Sequence, residues 1–176
     1  MIGEMIECLA QQLEAHQQYK SLRPEGITKL SFVGKNLENT KNKLIISLFG
    51  VERETAGGVV PVRSRGLENV VQRNPPLYLN LNLIFAAVYD EDRYIEALNV
   101  LDATLQFLQT HTSFKFGNVT YTLEIMSPNS QELNNIWSTM GGQYYPSVLC
   151  KLRRVCFDAE EIQKLEGRIQ EVDVAM

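Results

Sequence analysis

The fold is decided by residues 74–85, which read NPPLYLNLNLIF. After the two prolines, leucine or phenylalanine stands at every second position from Leu77 to Phe85. A period of two predicts a β-strand that turns one face to the core. Between these residues lie Asn80 and Asn82, so we expect the other face to be polar. We interpret the two amides as exposed or cross-strand groups, with a contact to a neighbouring subunit as the alternative.

Further strands are predicted on both sides of this one. Apolar, β-branched runs bounded by turn residues predict strands over 27–33 and 43–51. A hairpin or a strand entered through a turn is predicted over 114–125, and a final strand over 147–158. The apolar residues of that final strand change parity part-way, which predicts a β-bulge near Arg153.

Helices are predicted between and around the strands. The first should end by Arg23, because Pro24 disfavours helix in the residue before it. Residues 92–109 predict a long helix that covers the sheet, and 130–140 a short one that includes Trp137. For the long helix we expect one apolar stripe, formed by Tyr94, Leu98, Leu101, Leu105 and Leu108.

These elements predict an α/β protein of the α+β type. We expect a mixed, largely antiparallel sheet of about four to six strands covered by helices, in a single domain over 1–176. Residues 52–74 are polar and rich in glycine and arginine, so a long loop is predicted there, which we interpret as a partner-binding arm. Residues 159–174 predict an amphipathic C-terminal helix that docks on the body or on another chain.

Composition excludes several classes of protein. No run approaches the roughly 18 apolar residues that cross a bilayer, and the N-terminus lacks the pattern of a secretory signal. A net charge of −4 argues against nucleic-acid binding, which needs a concentrated basic surface. The one local basic cluster is Lys151, Arg153 and Arg154, either a solvated strand face or a docking surface for an acidic partner.

Catalytic and cofactor motifs are missing from the sequence. It contains no dinucleotide-binding glycine motif, no phosphate-binding loop, no zinc-protease motif and no nucleophile elbow. The carboxylates Glu52, Glu54 and Glu124 are either paired in space or ordinary solvated acids. We therefore expect a protein that is not an enzyme and binds neither a cofactor nor a metal.

One combination of segments resembles a known family. It consists of 74–81, NPPLYLNL, then 94–98, YIEAL, Trp137, and 144–148, YYPSV, followed by the basic residues of 151–154. This combination is similar to the cap, or tail-terminator, proteins of phage-tail-like contractile injection systems. The chain departs from the family pattern after the early strand, where residues 51–58 read VERETAGG.

The resemblance implies an architectural role. A terminator closes the distal end of the inner tube and the contractile sheath, stops polymerisation and stabilises the particle, as a hexameric ring of copies of itself. It implies sheath and tube subunits as partners, and cytoplasmic assembly into a particle that is either released or membrane-anchored. Two alternatives stay open: a small α/β enzyme or ligand-binding domain with a pocket beside Asn80, Asn82 and Tyr144, and a transient sheath-assembly adaptor.

Candidate partner-binding residues follow from the arm, the asparagine strand and the basic cluster. All are long or amide-bearing polar side chains that can make directional contacts with another chain. They are Arg53, Arg63, Arg65, Arg73, Asn80, Asn82, Lys151, Arg153 and Arg154.

Overall fold

A computed structural model describes residues 1–21, 26–34, 41–54 and 76–157. In chain order the elements are α1 (Ile2–Ser21), β1 (Thr28–Leu30), β2 (Lys43–Arg53), β3 (Leu77–Val88), a 3₁₀ turn (Glu91–Arg93), α2 (Tyr94–Thr110), β4 (Ser113–Phe116), β5 (Val119–Met126), α3 (Ser130–Thr139) and β6 (Ser147–Phe157). The predicted arm beyond Glu54, at 55–74, and the predicted helix at 159–174 lie outside the described residues.

The strands form one six-stranded sheet in the order β1-β2-β3-β6-β5-β4. The β1–β2 pair is parallel and every other pair is antiparallel. The predicted mixed, largely antiparallel sheet is confirmed. In the described part of the chain, no helix is both long and apolar enough to pass through a membrane.

Two buried clusters lie on opposite faces of the sheet. The first face is covered by α1 and α2, and its β3 members are Leu81, Leu83, Phe85 and Ala87. The second face is covered in part by α3, whose Trp137 packs with residues of β2, β3 and β6. An N-terminal capping box between Asn129 and Glu132 fixes where α3 begins.

The prediction of one polar face for β3 is correct only over part of the strand. On the second face Ile84, Ala86 and Val88 are buried under α3, whereas Asn80 and Asn82 lie beyond this cover. At the C-terminal end of β3, helices cover both faces of the sheet. At the N-terminal end of β3, the second face is uncovered and polar. Alternation in the sequence does not reveal this, because a strand covered on both sides needs no polar face.

Several predicted boundaries shift. The first strand is only Thr28–Leu30, whereas β2 extends to Arg53, so Glu52 and Arg53 belong to a strand and not to the predicted loop. The long helix begins at Tyr94 and ends at Thr110. Its buried face is also different from the predicted stripe, since Tyr94, Leu98 and Leu105 are exposed. The buried residues are Ala97, Val100, Ala103, Thr104, Phe107 and Leu108, of which Leu108 alone belongs to the predicted stripe.

The predicted bulge in β6 is confirmed. Leu79 pairs with Val155 and Leu81 with Leu152, so β6 holds one residue more than β3 between these pairs. Arg154 lies in this bulge with φ +60°, and its backbone N–H donates to Oδ1 of Asn80 at 3.0 Å. The bulge turns both Val155 and Leu152 toward the helix-covered core despite their odd separation.

Candidate interaction site

The uncovered part of the second face brings polar residues of four strands into one row. Asn82 of β3 pairs with Gly50 of β2 and with Lys151 of β6, and Lys151 pairs with Glu124 of β5. Side chains of paired residues in neighbouring strands lie on the same face. We call this region the polar sheet face and define it by Glu52, Glu54, Asn80, Asn82, Glu124, Lys151 and Arg153.

The first half of the polar sheet face is centred on Glu52. Nδ2 of Asn82 donates to Oε1 of Glu52 at 2.6 Å, and Nζ of Lys151 donates to Oε2 at 2.8 Å. These bonds, that from Lys151 foremost, lower the pKa of Glu52 below its ordinary value of 4.5, since they favour the ionised carboxylate. Gly50 makes room for the Asn82 side chain beside it, because a Cβ at position 50 would lie 3.3 Å from Nδ2 of Asn82.

The second half is centred on Glu54 and Arg153. Nδ2 of Asn80 donates to Oε2 of Glu54 at 3.1 Å, and Arg153 lies 3.4 Å from the same oxygen. The other end of the Arg153 guanidinium donates to Glu124 at 3.0 Å. The Glu54 side chain is only 9% exposed, so this carboxylate depends on its partners for the hydrogen bonds it loses from water.

The charged side chains of the polar sheet face are paired with one another, with one carboxylate in excess. The carboxylates of Glu52 in β2, Glu54 directly after β2 and Glu124 in β5 lie against the two cations of β6, Lys151 and Arg153. The guanidinium of Arg154 lies 5.8 Å from the ring centroid of Tyr78. The cations that sequence analysis interpreted as a solvated face or an acidic docking surface are therefore paired within the chain.

The structure brings four of the predicted partner-binding residues together: Asn80, Asn82, Lys151 and Arg153 lie on this face. Arg154 adjoins it at the bulge. Arg53 is exposed on β2 between two residues of the polar sheet face, so its side chain points to the opposite side of the sheet. The remaining candidates Arg63, Arg65 and Arg73 lie outside the described residues.

Each of the three carboxylates Glu52, Glu54 and Glu124 pairs with a cation: Glu52 with Lys151, and both Glu54 and Glu124 with Arg153. Glu52 is 99 residues from Lys151 along the chain, and Arg153 is 29 residues from Glu124. Spacing within a short stretch of sequence cannot predict contacts between residues so far apart in the chain. These contacts arise from the order of the strands in the sheet. The role of Asn80, Asn82, Lys151 and Arg153 as partner-binding residues stays a prediction.

The ligand-binding alternative requires a pocket beside Asn80, Asn82 and Tyr144, but these residues lie apart. The Tyr144 ring packs on Trp137 at 5.6 Å, and the carbonyl of the nearby Pro146 accepts a bond from the N–H of Ala87. Ala87 is five residues from Asn82 along β3, about 16 Å in a strand. Tyr144 therefore belongs to the α3 end of the second face, and the asparagines to the other end.

Two observations bear on nucleophilic and metal chemistry in the described residues. Burial raises the pKa of the Cys150 thiol to about 12, so it is not a nucleophile near neutral pH. Among the residues that the structure describes, no group of three or more His, Cys, Asp or Glu is placed to hold a metal ion. The polar sheet face presents hydrogen-bonding groups whose positions are fixed by the contacts described above.

Comparison with known proteins assigns the chain to a family. The model of the Pvc16 N-terminal domain matches residues 4–171, nearly the whole sequence. The chain belongs to the Pvc16 N-terminal domain family. The resemblance to the tail-terminator proteins of contractile injection systems is thereby confirmed. No functionally curated protein matches the sequence.

Two cryo-EM structures share the fold of this Pvc16 N-terminal domain. One is the sheath/tube terminator of an extracellular contractile injection system, PVC, in the extended state, with a TM-score of 0.54 and 13% identity. The other is the tube-terminating cap of the anti-feeding prophage, AFP, with a TM-score of 0.53 and 13% identity. They match 87% and 85% of this chain, which spans only 57% and 54% of theirs.

Proposed function

We propose that this chain is a terminator subunit that closes the distal end of the inner tube and the contractile sheath of a contractile injection system. The observation that carries the proposal is the family match over residues 4–171, joined to a fold shared with two terminators. In this proposal the subunits form a hexameric ring, assemble in the cytoplasm and remain in the finished particle.

The edges of the sheet support a role in ending polymerisation. The outer strands in the described part of the sheet are β1, with three residues, and β4, with four. Short edge strands offer few free backbone N–H and C=O groups to a further chain. Such edge strands therefore give little opportunity for another subunit to add by strand pairing. A head-to-tail interface that closes on itself gives a ring and not a filament, which makes one type of subunit sufficient for a cap.

Particles test this role directly. We would image sheath–tube particles purified from a strain that lacks this chain and compare them with particles from the intact strain. The proposal predicts particles of unregulated length or with unstable ends when the chain is missing. Unchanged particles would contradict the terminator role.

The arm is the proposed source of contacts with sheath or tube. Deleting residues 55–72 leaves β2, which ends at Arg53, and β3, which begins at Leu77, outside the cut. We expect the deleted protein to stay folded by circular dichroism and to fail in assembly. A matched variant keeps the length of the arm but changes R63E, R65E and R73E, so it separates arm charge from arm length. Loss of soluble, folded protein would instead assign the arm a structural role.

We further propose that the chain is not an enzyme and works through protein contacts alone. The lowered pKa of Glu52 makes its carboxylate a weaker base, and the raised pKa of Cys150 keeps it a protonated thiol at neutral pH, which supports this. The transient adaptor is the competing function, and it predicts a stable monomer that is absent from purified particles. Quantitative mass spectrometry of purified particles decides between the two: stoichiometric recovery supports the terminator, and absence supports the adaptor.

A further inference from the structure

β1 is so short that it covers only the first part of β2. It pairs with Leu44–Ile46, and the N–H of Ser31 then donates to the Ile46 carbonyl at 3.2 Å. β2 continues from there to Arg53. Within the described residues, no strand pairs with this later part of β2 on its outer side. We call residues 48–53 the open β2 edge.

Bonds to β3 show which backbone groups of the open β2 edge point outward. In a strand, the N–H and C=O groups of successive residues point to opposite neighbours. The N–H of Glu54 donates to the carbonyl of Tyr78 in β3 at 2.9 Å, so Glu54 and Glu52 point toward β3. The backbone groups of Arg53 and Val51 therefore point away from the sheet.

Leu48 is a third residue whose backbone groups point outward. The N–H of Leu44 donates to the carbonyl of Ile27 at 2.8 Å, and every second residue from Leu44 to Leu48 points the same way. A bulge between Leu48 and Gly50 then adds one residue, which moves the outward positions from even to odd numbers. The open β2 edge thus offers the N–H and C=O groups of Leu48, Val51 and Arg53 to a further strand.

Side chains at the end of this edge are exposed on both faces of the sheet. Val51 is 49% exposed on the first face, where its cross-strand neighbour is Leu81. Arg53 is exposed on the same face, and the Glu52 side chain, on the polar sheet face, is 50% exposed. Backbone groups that lack a strand partner, flanked by exposed side chains, are a template for pairing with another strand.

These exposed side chains define the residues that an added strand needs. Residues directly opposite each other in paired strands lie side by side on one face. Glu52 belongs to a face with one carboxylate in excess, so it favours a basic residue opposite it. Val51 favours an apolar residue, and Arg53 favours an acidic one. Alternation of side chains between the two faces lets three consecutive residues of one strand satisfy all three positions.

We propose that the open β2 edge binds an extended segment of a different protein chain as an added strand. This segment places an apolar residue opposite Val51, a basic residue opposite Glu52 and an acidic residue opposite Arg53. Backbone hydrogen bonds supply the affinity, and the three side-chain pairs supply specificity and register. The proposal does not depend on the terminator role, because the edge and its side chains are properties of the chain itself.

Peptide titration of the full chain tests the pairing. Two capped, fluorescent probes carry the pattern in both orders: Thr-Val-Lys-Glu-Val-Thr for a parallel strand and Thr-Val-Glu-Lys-Val-Thr for an antiparallel strand. We expect saturable binding of one of them by fluorescence anisotropy. Replacing its lysine by glutamate should weaken binding about fivefold, and N-methylation of the amides that face β2 should abolish it. Absence of binding by both probes would overturn the proposal.

A pair of variants locates the binding at the edge. V51P removes an outward N–H that makes no recorded bond within the described residues, and proline is tolerated on an edge strand. V51T is the matched control, since it keeps the N–H and nearly the same shape. The probe should bind V51T and not V51P, and E52Q should reduce the preference for lysine over glutamate. Equal binding to V51P and V51T would contradict strand pairing.

Amide hydrogen exchange measured by NMR provides a second readout that needs no variant. In the free chain the amides of Val51 and Arg53 should exchange quickly and those of Glu52 and Glu54 slowly, because only the latter face β3. The bound probe should slow Val51 and Arg53 about tenfold and leave Glu52 unchanged. Protection of Val51 in the free chain would show that the chain covers its own edge. Protection that grows with protein concentration would assign the edge to a second copy, and either result would overturn the proposal.

Discussion

At the scale of the residue, Asn80 has two structural tasks. Its amide nitrogen donates to Glu54 and its oxygen accepts the backbone N–H of Arg154. Only 5% of Asn80 is exposed, so water cannot replace these bonds. The side chain therefore joins the segment after β2, β3 and the bulge of β6, which explains why a buried position of β3 is polar.

We expect N80A to lower the free energy of unfolding by about 1–3 kcal/mol, because Glu54 and the Arg154 N–H lose a buried partner. Urea denaturation measures the change. R154G is the informative counterpart: Arg154 has φ +60°, which glycine adopts without strain, so this variant should be neutral or stabilised by about 1 kcal/mol. A strongly destabilised R154G would contradict this account of the bulge.

Glu52 predicts a pH dependence. Its pKa is lowered in the folded chain by the bond from Lys151 and then by that from Asn82. Because the pKa of Glu52 is lower in the folded chain than its ordinary value of 4.5, ionised Glu52 stabilises the fold fully above pH 4.5. This stabilisation is lost as the pH falls below that value. Half of the Glu52 side chain is exposed, so the effect is small.

We therefore expect E52Q to be slightly less stable than the parent at neutral pH and to lose less stability on acidification below pH 4.5. Urea midpoints of the two proteins, measured across this range, test the difference. Parallel curves for the two proteins would show that Glu52 does not contribute to the acid dependence.

At the scale of the element, α1 is held on α2 by a buried amide. The Gln17 side chain is fully buried and reaches a carbonyl and a hydroxyl of α2 that lie 83 and 87 residues away in sequence. A second tie is Glu14, whose carboxylate accepts the backbone N–H groups of Ile27 and Thr28 and so anchors the entry to β1. Both Gln17 and Glu14 are polar residues of α1. The sequence pattern of α1 predicted its apolar face but not these two polar contacts.

We expect Q17A to lower the free energy of unfolding by about 1–3 kcal/mol, since it removes a buried hydrogen-bonding group and leaves a cavity between α1 and α2. The neighbouring Q18A serves as the control. Gln18 is exposed and its amide donates to Glu14 of the same helix at 3.0 Å, so its removal should cost about a few tenths of a kcal/mol. Equal losses for the two variants, in thermal or urea unfolding, would contradict the role of Gln17.

At the scale of the whole molecule, the proposed ring makes a prediction about mass. One chain has a mass of 20.0 kDa, so a hexamer sediments as a particle of about 120 kDa. We expect this species by analytical ultracentrifugation, either for the isolated chain or after addition of tube subunits. A monomer under both conditions would favour the adaptor over the ring.

The sequence by itself determined the class of the fold and the family. Alternation in β3 and the parity change in β6 are local patterns, and local patterns act over a few residues whatever the rest of the chain does. The family resemblance rested on short segments of this kind and is confirmed by the match over residues 4–171.

Only the tertiary structure decided which faces are buried and which charges meet. α2 is apolar over a wide arc, so its sequence was compatible with two buried faces, and contact with α1 and the sheet selected the one that contains Phe107 rather than Leu105. The polar sheet face joins Glu52 to Lys151 across 99 residues because the strand order places β2 and β6 on either side of β3. Burial and pairing are properties of neighbours in space, and a linear pattern carries no record of those neighbours.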